Sequence, residues 1–581
     1  MKLYPLSNLE EMKEVIAVAR GDEPADLLLT NGRVVNVFNG EINETNLAIK
    51  GSIIAAIGRD YKQGKEIIDL EGKYLAPGLI DAHLHIESTL LQPAELARVI
   101  VARGTTSVIN DPHEVANVLG VRGVEMMLEA AENLPCDFFS TVPSCVPATA
   151  METAGAEIDS AQVEKLLQHP GVVGLGEMMN YPGVLEGDPE VMKKILAAHR
   201  IGKVVDGHAP GLSGSELQAY LAAGISTDHE TITADEALEK INSGMKVIIR
   251  HGSASSSLEE LLPLVNADNV DSFMFGSDDR EAAELINKGH LDDLLKTAVK
   301  MGSDPVMLIK MATINAAAHY RLYDRGALAP GYRADIVVFK NLKDFNVEMV
   351  VKNGLLAARQ GSTILDIDKQ DFPGEALQSV NVLSELRAGD FGYNPGTGDV
   401  PVIGVVPGQL VTEKLYLDLE RSEGGFVMAD TGAGLNKIAV IERHHASGRM
   451  AVALVKGLGL NRGALASTVA HDSHNILVAG VEEKAMAAAV NELIKMGGGF
   501  VAVNENGEVM ASLSLQIAGL MSLEPAPVVA EGMDKLLKAA KDLGSALPQP
   551  FLTLAFLALP VIPSLKITDR GLFDVDNFTF L

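Results

Sequence analysis

The chain has no tryptophan, and aromatic residues make up only 4% of its 581 positions. Proteins that hold single-stranded nucleic acid stack its bases on aromatic side chains, so this scarcity argues against that role. Basic residues are also short: 48 Lys and Arg stand against 77 Asp and Glu, a formal charge of −29. A surface this acidic repels phosphate backbones and anionic lipid, so neither nucleic acid nor a membrane is an expected partner. Cysteine is limited to Cys136 and Cys145, too few for a disulfide framework and consistent with a reducing compartment. Every apolar stretch is interrupted by Gly, Pro or charge well before the ~20 residues a membrane helix needs. The opening segment MKLYPLSNLEEMKEVIAVARGDEPADLLL meets Pro5 and several acids before any apolar run, so it does not read as a signal peptide. These absences together predict a cytoplasmic protein.

Hydrophobic residues reach 47%, so a large core is feasible, and the length predicts roughly three or four domains. Leu9, Met12, Val15, Ile16 and Ala19 recur near helical spacing and predict a short amphipathic helix over Ser7–Arg20, within an N-terminal unit 1–24. The next stretch, ADLLLTNGRVVNVFNGEINETNLAIKGSIIAAIG, is β-branched and punctuated by Asn-Gly and Lys-Gly turns. The same texture returns after Gly326 in GALAPGYRADIVVFKNLKDFNVEMVVKNG. The two pieces predict one small β domain built from both flanks of an insert, over 25–75 and 323–375.

The insert, 76–322, alternates buried-type strands with helical patterns. Its strands are GLIDAHLHIE, TTSVIND, DFFSTVPS, VVGLGEMM, KVVDGHAP, GISTDHE, MKVIIRHGS and SFMFGSDD. Strand-then-helix repeated eight times predicts a (β/α)8 TIM barrel, an α/β fold. After Leu356 the pattern becomes mixed α/β, and 376–581 reads as a separate C-terminal domain whose fold the pattern leaves open.

Barrel enzymes carry their working residues at the carboxyl ends of the strands. Those ends offer His83, His85, Glu177, His208, His229 and Asp278, all good ligands for a divalent metal. His83-x-His85 puts two rings on one face of a strand because side chains alternate. Glu177 can bridge two ions, His208 and His229 completing one and Asp278 the other. Two such ions lower the pKa of a shared water toward neutrality, and Asp278 is placed to take the water's proton and pass it to a leaving amine. A single histidine on an apolar strand is more often a packing residue; six ligand types at five strand ends favour the metal reading.

APGLIDAHLHIES resembles the opening metal motif of the amidohydrolase superfamily, and GALAPGYRADIVVF its return into the small β domain. INDPHEVANVLG, GEMMNYPGVL, DGHAPGLSG, TDHE, SDDR and TVAHDSHNILVAG together resemble bacterial and archaeal adenine deaminases, over essentially the whole length. Many members of the superfamily bridge their metals with a carboxylated lysine; Glu177 stands in that place here. The resemblance implies hydrolytic deamination of free adenine to hypoxanthine and ammonia, with a hydroxide shared by two ions attacking the carbon that bears the amino group. It implies Mn2+ as the metal, with Fe2+ or Zn2+ chemically plausible, and a homodimer. Asp278, Glu177, His229 and Glu114 are the expected catalytic residues; His251, Ser253, Asp279 and His474 are the expected substrate contacts.

Two segments have two readings each. Glu114 is a further ligand or proton shuttle, or simply a carboxylate at a helix N-terminus. His471, Asp472 and His474 either reach over the barrel mouth or form a loop network inside the C-terminal domain; His444 and His445 read as surface or packing residues. The chain also departs from the family pattern. Arg250-His251-Gly252-Ser253-Ala254 stands where Arg-Glu-Gly-Ser-Ala is usual, and Gly276 where cysteine is common, which leaves base preference open. The rival readings are another cyclic amidohydrolase or a deaminase of a modified purine and, from a different class, a catalytically silent binding protein on the same fold.

Overall fold

The computed structural model describes residue 6 and residues 8–253, 255–368 and 370–581. Residues 1–5, Ser7, Ala254 and Lys369 lie outside the described residues. The N-terminal helix runs Leu9–Arg20. It starts where the Asn8 side chain accepts the Glu11 N–H at 3.0 Å, and it ends at Gly21, whose φ of 78° takes the left-handed turn that glycine adopts freely.

Both β-rich flanks join one nine-stranded sheet. The seam is an antiparallel pairing of Tyr74–Pro77 with Ile336–Phe339, Ala76 opposite Val337. Chain segments far apart in sequence thus form one layer, and everything between them is threaded out of it and back.

That intervening chain forms the barrel. Its parallel strands are β1 (Leu79–Leu84), β2 (Thr105–Asn110), β3 (Asp137–Val142), β4 (Val172–Met178), β5 (Val204–Gly207), β6 (Thr227–Asp228), β7 (Lys246–Arg250) and β8 (Phe273–Gly276). Residues of β1, β2 and β4 are buried throughout, as parallel strands covered on both faces are. Strands β1 to β5 form one hydrogen-bonded arc and β6 to β8 another. A parallel bridge between Leu84 and Asp278 closes β8 onto β1.

The opposite join, β5 to β6, explains why the segment GISTDHE yields a strand of only two residues. There side chains replace backbone acceptors: Thr227 Oγ1 takes the Gly207 N–H at 3.1 Å, and Asp228 Oδ1 takes the Ala209 N–H at 2.8 Å. The approach is close enough that a Cβ on Gly207 would fall 2.2 Å from the Thr227 carbonyl oxygen.

The C-terminal region is built on an eight-stranded mixed sheet, with helices Glu483–Met496 and Ala526–Asp542 packed against it. Two of its segments reach the barrel mouth. One is the loop between strands Ala464–Ser467 and Ile476–Gly480, carrying His471 to Asn475. The other is helix Pro550–Phe556 and the residues after it. Among the described residues, no helix is long and apolar enough to cross a membrane.

Candidate metal centre

The barrel's carboxyl ends bring His83, His85, Glu177, His208, His229 and Asp278 into one cluster, buried apart from the half-buried His208. His83 and His85 sit two apart at the end of β1, so both rings turn to the barrel axis. Asp81 fixes the backbone there, its Oδ1 accepting the His83 and Ser277 N–H groups at 3.1 Å each. His85 Nδ1 donates to the Asp111 carbonyl at 2.9 Å, which turns Nε2 inward as the free donor atom.

Glu177 lies at the centre, and its two oxygens face different histidines. Oε1 is 3.5 Å from His85 Nε2 and 3.2 Å from His113 Nδ1; Oε2 is 2.7 Å from His208 Nδ1 and 3.2 Å from His229 Nε2. Its position is secured from behind, its N–H donating to Asp111 Oδ2 at 2.9 Å and its carbonyl accepting from Ser144 Oγ at 2.5 Å. Asp278 completes the far side, with Oδ1 at 3.5 Å from His83 Nε2 and 3.3 Å from His85 Nε2. His83 and His229 stack with ring centroids 4.0 Å apart. A Cβ on Gly276 would lie 2.8 Å from Ile248 Cγ2 and 3.1 Å from the His83 carbonyl oxygen, so β8 uses glycine where it crowds β1.

The electrostatics favour cations. Burial pushes the Glu177 carboxyl up, yet the hydrogen bonds of His113, His208 and His229 hold it well below the usual range. Burial likewise opposes ionisation of Asp278, and Arg250, His83 and His85 outweigh it. The imidazoles move the other way: burial disfavours charge on His229, but Glu177 raises it to about 9. Carboxylates held low beside imidazoles held high mark a place that stabilises positive charge. His83 Nε2 is buried without a hydrogen-bond partner. Ligand atoms of His83, His85 and Glu177 lie within 4.8 Å of one another, as do those of Glu177, His208 and His229, and those of His83, His229 and Asp278. An imidazole and carboxylate set with this spacing fits two divalent ions.

The loops that carry His208 and His229 are tied together from below. Lys240 is fully buried, and its Nζ donates to the Ala209 carbonyl at 2.8 Å, Asp228 Oδ2 at 3.0 Å and Glu236 Oε1 at 2.6 Å.

A cavity of about 840 Å³ opens above the cluster, between the barrel mouth and the C-terminal region. Glu114 and Asp279 line it. Glu114 sits in the first turn of helix His113–Leu119 but does more than face a helix end. Its Oε1 accepts from Ser88 Oγ at 2.8 Å, and Ser88 also meets Asp279 Oδ1 at 2.5 Å. His471 and Asp472 reach over the mouth and line the cavity.

Three expected substrate contacts lie elsewhere. His474 is fully buried behind Glu114, its Nε2 3.6 Å from Glu114 Oε2, because its Nδ1 accepts the Ala470 N–H and turns the ring inward. Ser253 donates to Glu284 Oε2 at 2.8 Å and lines a smaller adjoining pocket. His251 does not line the cavity; its Nδ1 meets Ser256 Oγ at 3.2 Å and its Nε2 turns toward Asp293. His444 is half-buried and donates to the Ser473 carbonyl, whereas His445 is exposed and donates to the Ala154 carbonyl.

Sequence reasoning passed over three groups. His113 touches Glu177, and Arg250 bridges Asp278 and Glu230. His113 stands in DPHEV beside Glu114, and Glu230 in TDHE beside His229, so adjacency to a site residue at a strand end was the available signal.

The amidohydrolase family matches residues 74–356, and the adenine deaminase C-terminal domain matches residues 409–579. The adenine deaminase of Desulfatibacillum aliphaticivorans is 47% identical over 568 residues, covering 98% of this chain and 99% of that one. Adenine deaminase 2 of Carboxydothermus hydrogenoformans is 45% identical over 579 residues, covering 98% and 99%. Among solved structures, atrazine chlorohydrolase from Arthrobacter aurescens TC1 complexed with zinc aligns over 58% of this chain and 97% of its own, at 17% identity and a TM-score of 0.46.

Proposed function

Because this chain belongs to the adenine deaminase family of the amidohydrolases, we propose that it hydrolyses free adenine to hypoxanthine and ammonia. The observation that carries this reading is Glu177, a single carboxylate whose two oxygens serve two separate histidine sets at the floor of a cavity. The family implies a divalent metal centre. Here His83, His85, Glu177 and Asp278 would hold one ion, and Glu177, His208 and His229 the other. Bound divalent ions supply a water of lowered pKa and polarise the ring against attack.

The chain's own groups do the rest. Arg250 holds Asp278 Oδ2 at 2.6 Å and so fixes the carboxylate that takes a proton from water and hands it to the departing amine. Glu114 is placed beside Ser88 to move a second proton. Asp279, on the cavity wall, orients the base. His471 and Phe556 line the side of the cavity that faces the C-terminal region.

The reading extends to manganese as the resident metal, since mixed imidazole and carboxylate ligands suit it as well as iron or zinc. It assigns 76–322 to the barrel, 25–75 with 323–375 to the composite β domain, and 376–581 to the C-terminal domain. A homodimer in the cytoplasm completes it. Cys136 and Cys145 are both free and buried, as a reducing compartment allows.

Protein produced with manganese and given adenine should lose the adenine absorbance in step with ammonia release, and chelation should stop both. A protein holding about two ions per chain, as a binuclear site requires, that leaves adenine intact would reject the substrate.

A further inference from the structure

The two walls of the cavity differ in kind. The barrel supplies histidines and carboxylates, whereas the C-terminal wall is apolar, with Leu410, Leu559, Val561 and Ile562, apart from the pair His471 and Asp472. His471 stacks on Phe556 with centroids 4.6 Å apart. Burial pushes its imidazole down to about 4, so it faces the cavity neutral. Among the described residues of this wall, Asp472 is therefore the one carboxylate.

Asp472 is 4% exposed, yet its Oδ2 has no hydrogen-bond partner. Oδ1 has His471 Nδ1 at 3.8 Å, beyond hydrogen-bond reach. The carboxylate lies near enough to the cluster for its charge to act on His113, which touches Glu177. A buried acceptor left without a donor is unfavourable, and Asp472 lines the cavity, where a ligand can bring the donor.

Adenine carries such a donor. If carbon 6 and its amino group lie over the metal cluster, the faces of the ring suit the apolar wall, and the imidazole half still has one ring N–H to satisfy. We infer that Asp472 accepts this ring N–H and so selects the free base over purines substituted at nitrogen 9. The inference rests on the adenine reading above and adds to it a specificity-determining residue from the C-terminal domain.

The test compares adenine with 9-methyladenine, which has no ring N–H, in the wild type, Asp472→Ala and Asp472→Asn, with metal content measured on each. A site built to bond a substrate N–H rejects the analogue lacking it by about 10⁴-fold in kcat/KM. The wild type should show a preference of that order. Asp472→Ala should reduce it to roughly tenfold, mainly through a raised KM for adenine, while keeping two ions. Asp472→Asn retains an acceptor oxygen and should fall between. An alanine variant that keeps the wild-type preference overturns the inference; so does loss of bound metal, which would make Asp472 a ligand. A metal-loaded wild type that ignores adenine defeats the substrate reading itself, and this inference with it.

Discussion

Arg250 presents its NH1 to Asp278 Oδ2 at 2.6 Å and to Glu230 Oε1 at the same distance. The guanidinium thereby fixes the Asp278 carboxylate with Oδ1 turned to His83 and His85. Arg250→Met should lower kcat by about 10²-fold or more, the usual loss when a buried orienting donor is removed, while the other ligands retain metal. Arg250→Lys should recover only part of the rate, because an ammonium lacks the second planar nitrogen that Arg250 places on Glu230 Oε2 at 3.0 Å. Steady-state kinetics with metal analysis check both; a methionine variant within threefold of wild-type kcat would remove Arg250 from the machinery.

Glu177 faces both histidine sets, one with each oxygen. Glu177→Gln keeps the shape but turns one of its two faces into an N–H₂ donor, which cannot ligate a cation. Metal content should fall from two ions per chain to one or fewer, and activity by at least about 10³-fold. Elemental analysis after exhaustive dialysis reads the first quantity directly. Retention of both ions would show that Glu177 does not bridge.

His251 was expected to touch substrate and is placed outside the cavity, held by Ser256 Oγ at 3.2 Å. His251→Ala should therefore change kcat/KM for adenine by no more than about threefold, roughly 0.7 kcal/mol. A loss of a hundredfold would mean that the 251–256 loop moves in to meet the base.

The contrast between His83 and His251 shows what a sequence can reveal about such a site. His83 and His85 end a buried parallel strand, and apolar runs that stop at a ligand-type residue repeat around the barrel, so the cluster was legible by counting strand ends. His251 also follows a strand, but whether a loop residue points in or out depends on partners such as Ser256 and Asp293, which no local pattern announces. His113 was missed for the same reason in reverse: its ring meets Glu177 only because β2 and β4 flank a shared neighbour. The nine-stranded sheet could be anticipated because turn signals delimit its strands on both flanks. The C-terminal sheet could not, since its strand order crosses over repeatedly and pairing between distant segments leaves no periodic trace.

Glu152 supplies a test of how the barrel and the C-terminal domain are joined. It lies in the segment after β3, where Thr153 donates to both oxygens of Asp569, at 2.9 Å from its N–H and 2.7 Å from its hydroxyl. Burial, with Asp472 and Asp569 nearby, raises the Glu152 carboxyl to about 8 against a bond from Ser473. In the folded protein it is thus neutral where an unfolded chain would ionise it. Between the ordinary carboxylate range and pH 8 the folded state holds one proton more, so stability falls as pH rises. The contribution is fully present below the unfolded value and is gone once pH passes through 8. Glu152→Gln keeps a neutral, isosteric group and removes this dependence. Melting temperatures measured at pH 6 and pH 9 should therefore drop further in the wild type than in the variant, by an amount on the order of 2–4 kcal/mol in stability. Every other titrating group is common to both proteins and cancels in the comparison. Parallel declines across that range would mean that Glu152 is ionised at the junction, its charge compensated by the Arg570 side chain that also acts on it.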